Sequence, residues 1–207
     1  MPTNTGHHRK KPRQARSVAT VGILLDAAAL VLVDEGYERA TTNRIAERAG
    51  VSIGSLYQYF PNRDALFGAL HGRTEAQMSE NIWQTISGFE GLDLRGFVRS
   101  GLNTAISQHA RVLPLLKVLM ETASGRPPVQ WPFDRFPQRQ GLLRGMFDSH
   151  ADELRPGFNR EAGSFFIPRM VGSALDAAIA FRPDAFANGE LEQELDTMLS
   201  YYLIGER

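Results

Sequence analysis

Between Ser52 and Tyr59 the chain reads SIGSLYQY, a run rich in hydroxyl, amide and phenol groups. On a helix such groups suit base edges, thymine methyls and phosphate oxygens. The outer face of that helix would present Ser52, Gly54, Ser55, Tyr57, Gln58 and Tyr59. Thr42, Asn43 and Arg44 would flank it from the start of the preceding helix, where either Thr41 or Thr42 offers a capping or phosphate-binding hydroxyl. Arg63 would flank it at the start of the next helix. A cation in a helix's first turn slightly opposes the helix dipole, so a phosphate held there explains Arg63 better than helix stability does.

Positioning these groups takes two short helices crossing steeply at a tight turn. Such a crossing needs a small side chain where the helices touch and a glycine where φ turns positive. Ala46 and Gly50 occupy those places. Ile45, Ala49, Val51 and Leu56 then fall on the inner faces, and Ser52 is placed to cap the second helix. The same turn occurs in helical proteins that never meet DNA. Tyr57 and Tyr59 on one exposed strip, with Arg63 beyond them, separate the two cases, because a helix gains little from aromatics left in water.

The stretch resembles the DNA-binding domain of the TetR family of transcriptional regulators. The resemblance is carried by Thr41-Thr42, Ile45-Ala46, Ala49-Gly50-Val51-Ser52, Gly54-Ser55-Leu56-Tyr57 and Tyr59-Phe60, followed by Arg63 and Leu66. It spans residues 17–72. Ser55 stands where the family more often has threonine, and Arg63 where lysine is commoner. Each keeps the hydroxyl or the charge, although arginine engages a phosphate with two donors where lysine is a point charge. The resemblance implies an all-α fold: a three-helix helix-turn-helix domain followed by a helical ligand-binding and dimerisation bundle. It also implies a homodimer paired through the last two helices as a four-helix bundle.

The 207 residues are neutral overall, but residues 1–72 hold nine Lys and Arg against six Asp and Glu, and the remainder reverses the balance. The excess gathers in Arg9, Lys10, Lys11, Arg13 and Arg16. We expect residues 1–16 to form a basic disordered arm, either simply solvated or following the DNA backbone. His7 and His8 lack a further ligand at metal-binding spacing, so no metal site is expected. Cysteine is absent, which excludes a disulfide framework and fits a reducing cytoplasm. No signal peptide is expected. Ile23 to Val33, interrupted by Asp26, is too short to span a bilayer, so no membrane partner is expected either.

The apolar stripe Ile23, Ala27, Leu30 and Val31 predicts a first helix over 17–35, ended by Gly36. Asn62 should cap a fourth helix that runs past residue 72 to Trp83. Helical patterning returns over 94–123 with a break expected near His109 to Pro114. The prolines of 125–137 predict a loop, and a helix is expected over 138–151. Two closing helices are expected over 160–182 and 190–203, with Pro168 kinking the first. Gly172, Ser173, Ala174, Ala177 and Ala178 permit close helix approach. Leu191, Leu195, Met198, Leu199 and Tyr202 form a stripe that suits either a partner or the chain's own core. Three units result: the arm at 1–16, the DNA-binding domain at 17–72 and the ligand-binding and dimerisation domain at 73–207.

No nucleophile elbow, phosphate loop, dinucleotide fingerprint or metal-binding histidine pair is visible, so an enzyme reading has no residues to name and no cofactor is expected. The second domain reads as a sensor for a small, mostly apolar effector. Its expected lining is Trp83, Phe97, Asn103, His109, Met120, Trp131, Phe133 and Phe147, with Phe136, Glu121 and Arg144 as further candidates. The resulting expectation is a dimeric repressor released from a palindromic operator by that effector. The alternatives are a non-inducible regulator, and a helical carrier or enzyme that merely keeps the turn.

Overall fold

The computed structural model describes residues 10–120 and 136–205. They form α1 (Lys10–Glu35), α2 (Thr42–Ala49), α3 (Ile53–Tyr59), α4 (Arg63–Ile86), α5 (Leu94–Met120), α6 (Phe136–Ser149), α7 (Arg160–Phe181), a 3-10 turn (Pro183–Phe186) and α8 (Glu190–Ile204). No strand occurs among the described residues. The fold is all-α with an N-terminal helix-turn-helix.

Helices α1 to α3 and the first half of α4 close over one core, in which Leu24, Ala28, Val31, Ile45, Leu56 and Leu66 are fully buried. The buried face of α1 is not quite the expected one: Ile23 and Leu30 are half exposed while Leu24 and Leu32 point inward. This segment is apolar on most sides, and periodicity alone does not choose among its faces. The helix also starts at Lys10 instead of 17, so residues 10–16, expected in the disordered arm, are helical. Pro12 falls in the first turn, where its missing N–H costs nothing. The rest of the expected arm lies outside the described residues, as does most of the expected proline-rich loop.

The second half of α4 packs on α5, with α6, α7 and α8 completing a body around a central cavity. The break expected at His109 to Pro114 is absent, since α5 continues through Pro114. Proline removes one helical hydrogen bond, and the buried side chains of His109, Leu116 and Leu119 hold the helix on both sides of it. The far end of α5 reaches the N-terminal core, where Leu119 is buried and Leu115 and Val118 pack beside it. Helix α6 lies two residues earlier than expected and α7 passes through Pro168.

The leucine stripe of α8 resolves inward. Leu195, Leu199 and Leu203 are buried against Leu94, Leu102 and Phe147 of the same chain. Outside remain Phe166, Met170 and Phe181 of α7, and Met198 and Tyr201 of α8. The expectation that no segment has the length and apolar character to cross a bilayer needs correction: Arg16–Glu35 and Arg160–Phe181 both have them. The first extends the Ile23 to Val33 run by helix on both sides, and its apolar residues contribute to the N-terminal core. The second keeps most of its surface outside the protein's interior.

Candidate nucleic-acid interface and buried cavity

Each helix of the reading unit is fixed by a side-chain cap. Thr41 Oγ1 accepts from the Arg44 backbone N–H at 3.2 Å, so of the two candidate threonines it is Thr41 that caps α2. Gly50 ends that helix at a φ of 67°, where any other residue would be strained, and its N–H returns to Ala46 and Glu47. Ser52 Oγ accepts from the Ser55 N–H at 3.1 Å and starts α3. Asn62 Oδ1 accepts from the Ala65 N–H at 2.8 Å and starts α4.

The exposed strip then divides into groups that are available and groups already engaged. Ser52, Gly54, Tyr57 and Gln58 are exposed, as are Asn43 and Arg44. Tyr57 Oη lies 3.2 Å from Thr42 Oγ1, which ties α3 to the start of α2 and sets the direction of the phenol. Ser55 is half-buried, with its hydroxyl 2.8 Å from that of Ser52. Tyr59 packs partly against the core, so less of it faces outward than the sequence suggests. Arg44 bonds Glu35 at 2.8 Å and Glu47 at 2.9 Å, and these two carboxylates raise its already high pKa. Arg63 lies with its guanidinium carbon 4.1 Å from the centre of the Tyr37 ring and donates to the Tyr37 carbonyl at 3.4 Å. Arg39, which sequence reasoning missed, is exposed in the turn before α2.

Gly54 is informative for the opposite reason to Gly50. A Cβ built on it would meet only Ser52 Oγ at 3.9 Å, an ordinary contact, and its φ is not positive. Nothing within the chain requires a glycine there. Gly54 therefore leaves an open place on the exposed face of α3, in its first turn.

The body encloses a cavity of about 180 Å³ lined by α4, α5, α6, α7 and α8. Of the expected lining, Trp83, Phe97, His109 and Phe147 are there. Asn103 is not, since its position on α5 faces solvent. Met120 is not either; it packs with Met78, Leu116 and Ile179 beyond the cavity's end. Arg144 bonds Glu161 on the surface. Trp131, Phe133 and Glu121 lie outside the described residues. A second cavity of about 450 Å³ shares Trp83, Ile86, Phe97, Leu143 and Met146 with the first and opens by the α4–α5 loop.

Sequence reasoning missed the cavity's acids, Glu75 on α4 and Asp176 on α7. Burial, and then the neighbouring Asp176, push the Glu75 carboxyl from its ordinary 4.5 up to about 7. Burial also raises Asp176, against the opposing pull of His109 and His71. The same burial lowers both histidines. Spacing gives a signal for Glu75, which falls on the face of α4 that carries Met78, Ile82 and Trp83; Asp176 stands among small and apolar residues. Two residues before Glu75, Arg73 pairs with Asp26 of α1 at 2.8 Å and donates to the Gly22 carbonyl at 3.3 Å. The acidic end of the cavity thus sits beside a clamp between the body and the N-terminal domain.

A family model described as "Bacterial regulatory proteins, tetR family" matches residues 24–70. The chain is 45% identical over 58 residues to the A-factor receptor protein of Streptomyces griseus, a match covering 28% of this chain and 21% of that protein. The chain therefore matches only about a fifth of that relative's length. Among solved structures, a TetR-family transcriptional regulator from Pectobacterium atrosepticum superposes with a TM-score of 0.70 at 18% identity, covering 97% of this chain and all of that one. FadR of Thermus thermophilus, a TetR-family repressor in complex with lauroyl-CoA, superposes with a TM-score of 0.59 at 19% identity over 90% of this chain and 95% of that one. At these identities the likeness to the two structures is one of fold.

Proposed function

We infer, since the N-terminal domain of this chain belongs to the tetR family of bacterial regulatory proteins, that the protein is a ligand-responsive transcriptional repressor without enzymatic activity. The observation that carries the reading is the exposed strip of α3, with Gly54 left open by the fold and Tyr57 directed by Thr42. Ser52, Ser55, Tyr57 and Gln58 would meet bases and backbone, with Thr42, Asn43, Arg44, Tyr59 and Arg63 around them. Residues 17–72 form the DNA-binding unit and residues 73–207 the effector and pairing unit, acting on DNA in the cytoplasm. The outward faces of α7 and α8 suit a second copy: Phe166, Met170, Ser173, Ala177 and Phe181 repeat at helical spacing on α7, with small residues at the centre. Phe181, 80% exposed, is the variant of choice there, and Phe181→Glu should weaken the dimer in sedimentation.

A two-fold dimer presents two equivalent helices, so selection from a random duplex pool should recover a palindrome. Recovery of single, asymmetric half-sites at dimer concentrations would overturn the dimeric reading. Release of DNA requires an effector that prefers the arrangement unable to bind it. The route is short. Helix α4 carries the cavity wall, the Arg73 clamp and Arg63, while α5 carries the opposite wall and ends in the N-terminal core. A ligand that separates α4 from α5 would strain the clamp on α1. Coupling of about 1–3 kcal/mol would change operator affinity roughly 5- to 150-fold.

A further inference from the structure

The inner end of the cavity offers acceptors and almost no donors. Glu75 and Asp176 line it from α4 and α7, and His109 lines it from α5. His109 Nδ1 lies 2.8 Å from the Ala105 carbonyl oxygen. A carbonyl only accepts, so Nδ1 carries the proton and the neutral ring turns an acceptor, Nε2, to its surroundings. Ser79 Oγ, also in the lining, already accepts from Arg139 at 2.6 Å. No lysine or arginine lines the cavity among the described residues. Arg139 itself is held by Ser79 and Glu80 and lies 5.9 Å from the centre of the Trp83 ring. Nor do the acids and histidines converge on a metal site, since no group of three such side chains with that geometry occurs among the described residues.

The rest of the wall is apolar and long. On α4 the lining residues Glu75, Met78, Ser79, Ile82, Trp83 and Ile86 recur at three- and four-residue spacing, so the cavity follows one face of the helix for about 16 Å. At Trp83 and Ile86 it meets the second, wider cavity. The 180 Å³ inner part exceeds the roughly 150 Å³ of an apolar cavity that admits benzene. The two cavities adjoin at Trp83, Ile86, Phe97, Leu143 and Met146, with the acids at the far end of the first and apolar side chains between.

We propose that the effector is an elongated amphiphilic cation, whose charged nitrogen head is held by Glu75 and Asp176 and whose apolar tail runs along α4 past Trp83 and Phe97. The proposal rests on the effector reading above and names its ligand class. Two half-buried acids with no cation among the described residues of the lining would repel an anionic head once ionised, and a neutral head would bring no charge to balance them. The charged and titratable groups around Glu75 are His71 on its own helix, His109 on α5 and Asp176 on α7, with Arg139 of α6 beyond Ser79. With its carboxyl poised near 7, Glu75 would lose its proton as a permanent cation arrives. Affinity should then rise with pH by up to about tenfold per unit below 7 and level off above it.

The test uses the full chain and three probes built on a ten-carbon chain, decyltrimethylammonium, decanol and decanoate, titrated by calorimetry and tryptophan fluorescence from pH 6 to pH 8. The cation should bind about tenfold or more tighter than either other probe, with the pH profile just given. Glu75→Gln should flatten that profile and lower cation affinity by about tenfold, and Asp176→Asn should also lower it. Decanol or decanoate binding as tightly as the cation would overturn the proposal, as would a flat profile in the unaltered chain, unchanged affinity in both variants, or no binding of any probe. Operator titration separates this from the regulator reading. If decanol enters and releases DNA while the cation does not enter, the sensor stands and the cationic ligand falls. If the cation binds with the expected signature and operator affinity never changes, the reverse holds.

Discussion

The N-terminal domain and the body solve packing differently. In the first, α2, α3 and α4 each start with a side-chain cap, and the core is apolar throughout. The second keeps a cavity, two acids facing it and prolines within two helices. A domain proposed to read DNA must hold fixed geometry, and the local interactions here already determine that geometry. The body leaves apolar surface and two half-buried acids facing a cavity that a ligand can fill.

The largest effect that tests this contrast comes from paired leucine truncations. Leu56 is fully buried among close neighbours of the N-terminal core, whereas Leu175 is equally buried but stands at the cavity wall. Leu56→Ala should cost about 3–5 kcal/mol, because it opens a new void in a filled core. Leu175→Ala enlarges a void already present and should cost about 2 kcal/mol, since fewer contacts are lost. Urea unfolding of both variants measures the difference. Equal losses would break the contrast.

Next in size is the pH dependence of the ligand-free body. Glu75 has its carboxyl raised from 4.5 to about 7 by folding. The folded state therefore binds the proton more tightly than the unfolded state. The resulting stability is complete below about 4.5 and is lost as pH rises through 7, by an amount on the order of 3 kcal/mol. His71 and His109, lowered by burial, act in the opposite sense: the folded state resists their protonation, so they favour stability as pH rises. Glu75→Gln isolates the first contribution. The variant's stability relative to the unaltered chain should grow from pH 5 to about pH 7 and level off above it in thermal melts, and a constant difference would mean that folding does not raise the carboxyl's pKa.

The N-terminal domain was legible because its signals are local. Gly50, the caps at Ser52 and Asn62, and the inward residues Ile45 and Leu56 each act within a few positions of themselves, and each lies where the spacing places it. The body was legible as helices but not as a site. Asn103 and Met120 share α5 with His109, yet only tertiary packing decides that one faces water, one a small apolar cluster and one the cavity. The stripe of α8 could serve the chain's own core or a partner equally well, and burial of Leu195 and Leu199 sends it inward. Glu75 and Asp176 lie about a hundred positions apart, so nothing in the local pattern could pair them. The stacking of Arg63 on Tyr37 was hidden for the same reason.

A smaller effect should come from Gly54, where stability and function are expected to part. Gly54→Ala meets no obstruction inside the chain. It should leave the domain as stable or more stable, by up to about 0.5 kcal/mol since the position is in the helix's first turn, while weakening binding to the selected duplex. Thermal melts and a duplex titration on the same sample decide it. If affinity is unchanged, the surface of α3 near residue 54 does not approach DNA closely.

The smallest effect concerns Arg63, and it sharpens what holds the reading surface to the rest. A guanidinium lying 4.1 Å from the centre of the Tyr37 ring, with both side chains half-buried, gains about 0.5–1 kcal/mol from the ring. Stacking uses the flat face of the group and leaves N–H donors at its edge, one of which reaches the Tyr37 carbonyl. The tyrosine can therefore orient the arginine without consuming it as a phosphate ligand. Four variants separate the roles. Arg63→Lys keeps the charge and loses the planar stack, so the salt dependence of duplex binding should hold while stability falls by about 0.5 kcal/mol. Arg63→Ala loses both, and the slope of log affinity against log salt should become shallower by about 0.9, the value of one phosphate contact. Tyr37→Leu, alone and combined with Arg63→Ala, closes a double-mutant cycle, in which the coupling should equal the cation–ring energy of about 0.5–1 kcal/mol. A coupling near zero would make the ring an incidental neighbour, and an unchanged salt slope in Arg63→Ala would confine the arginine to the domain's own architecture.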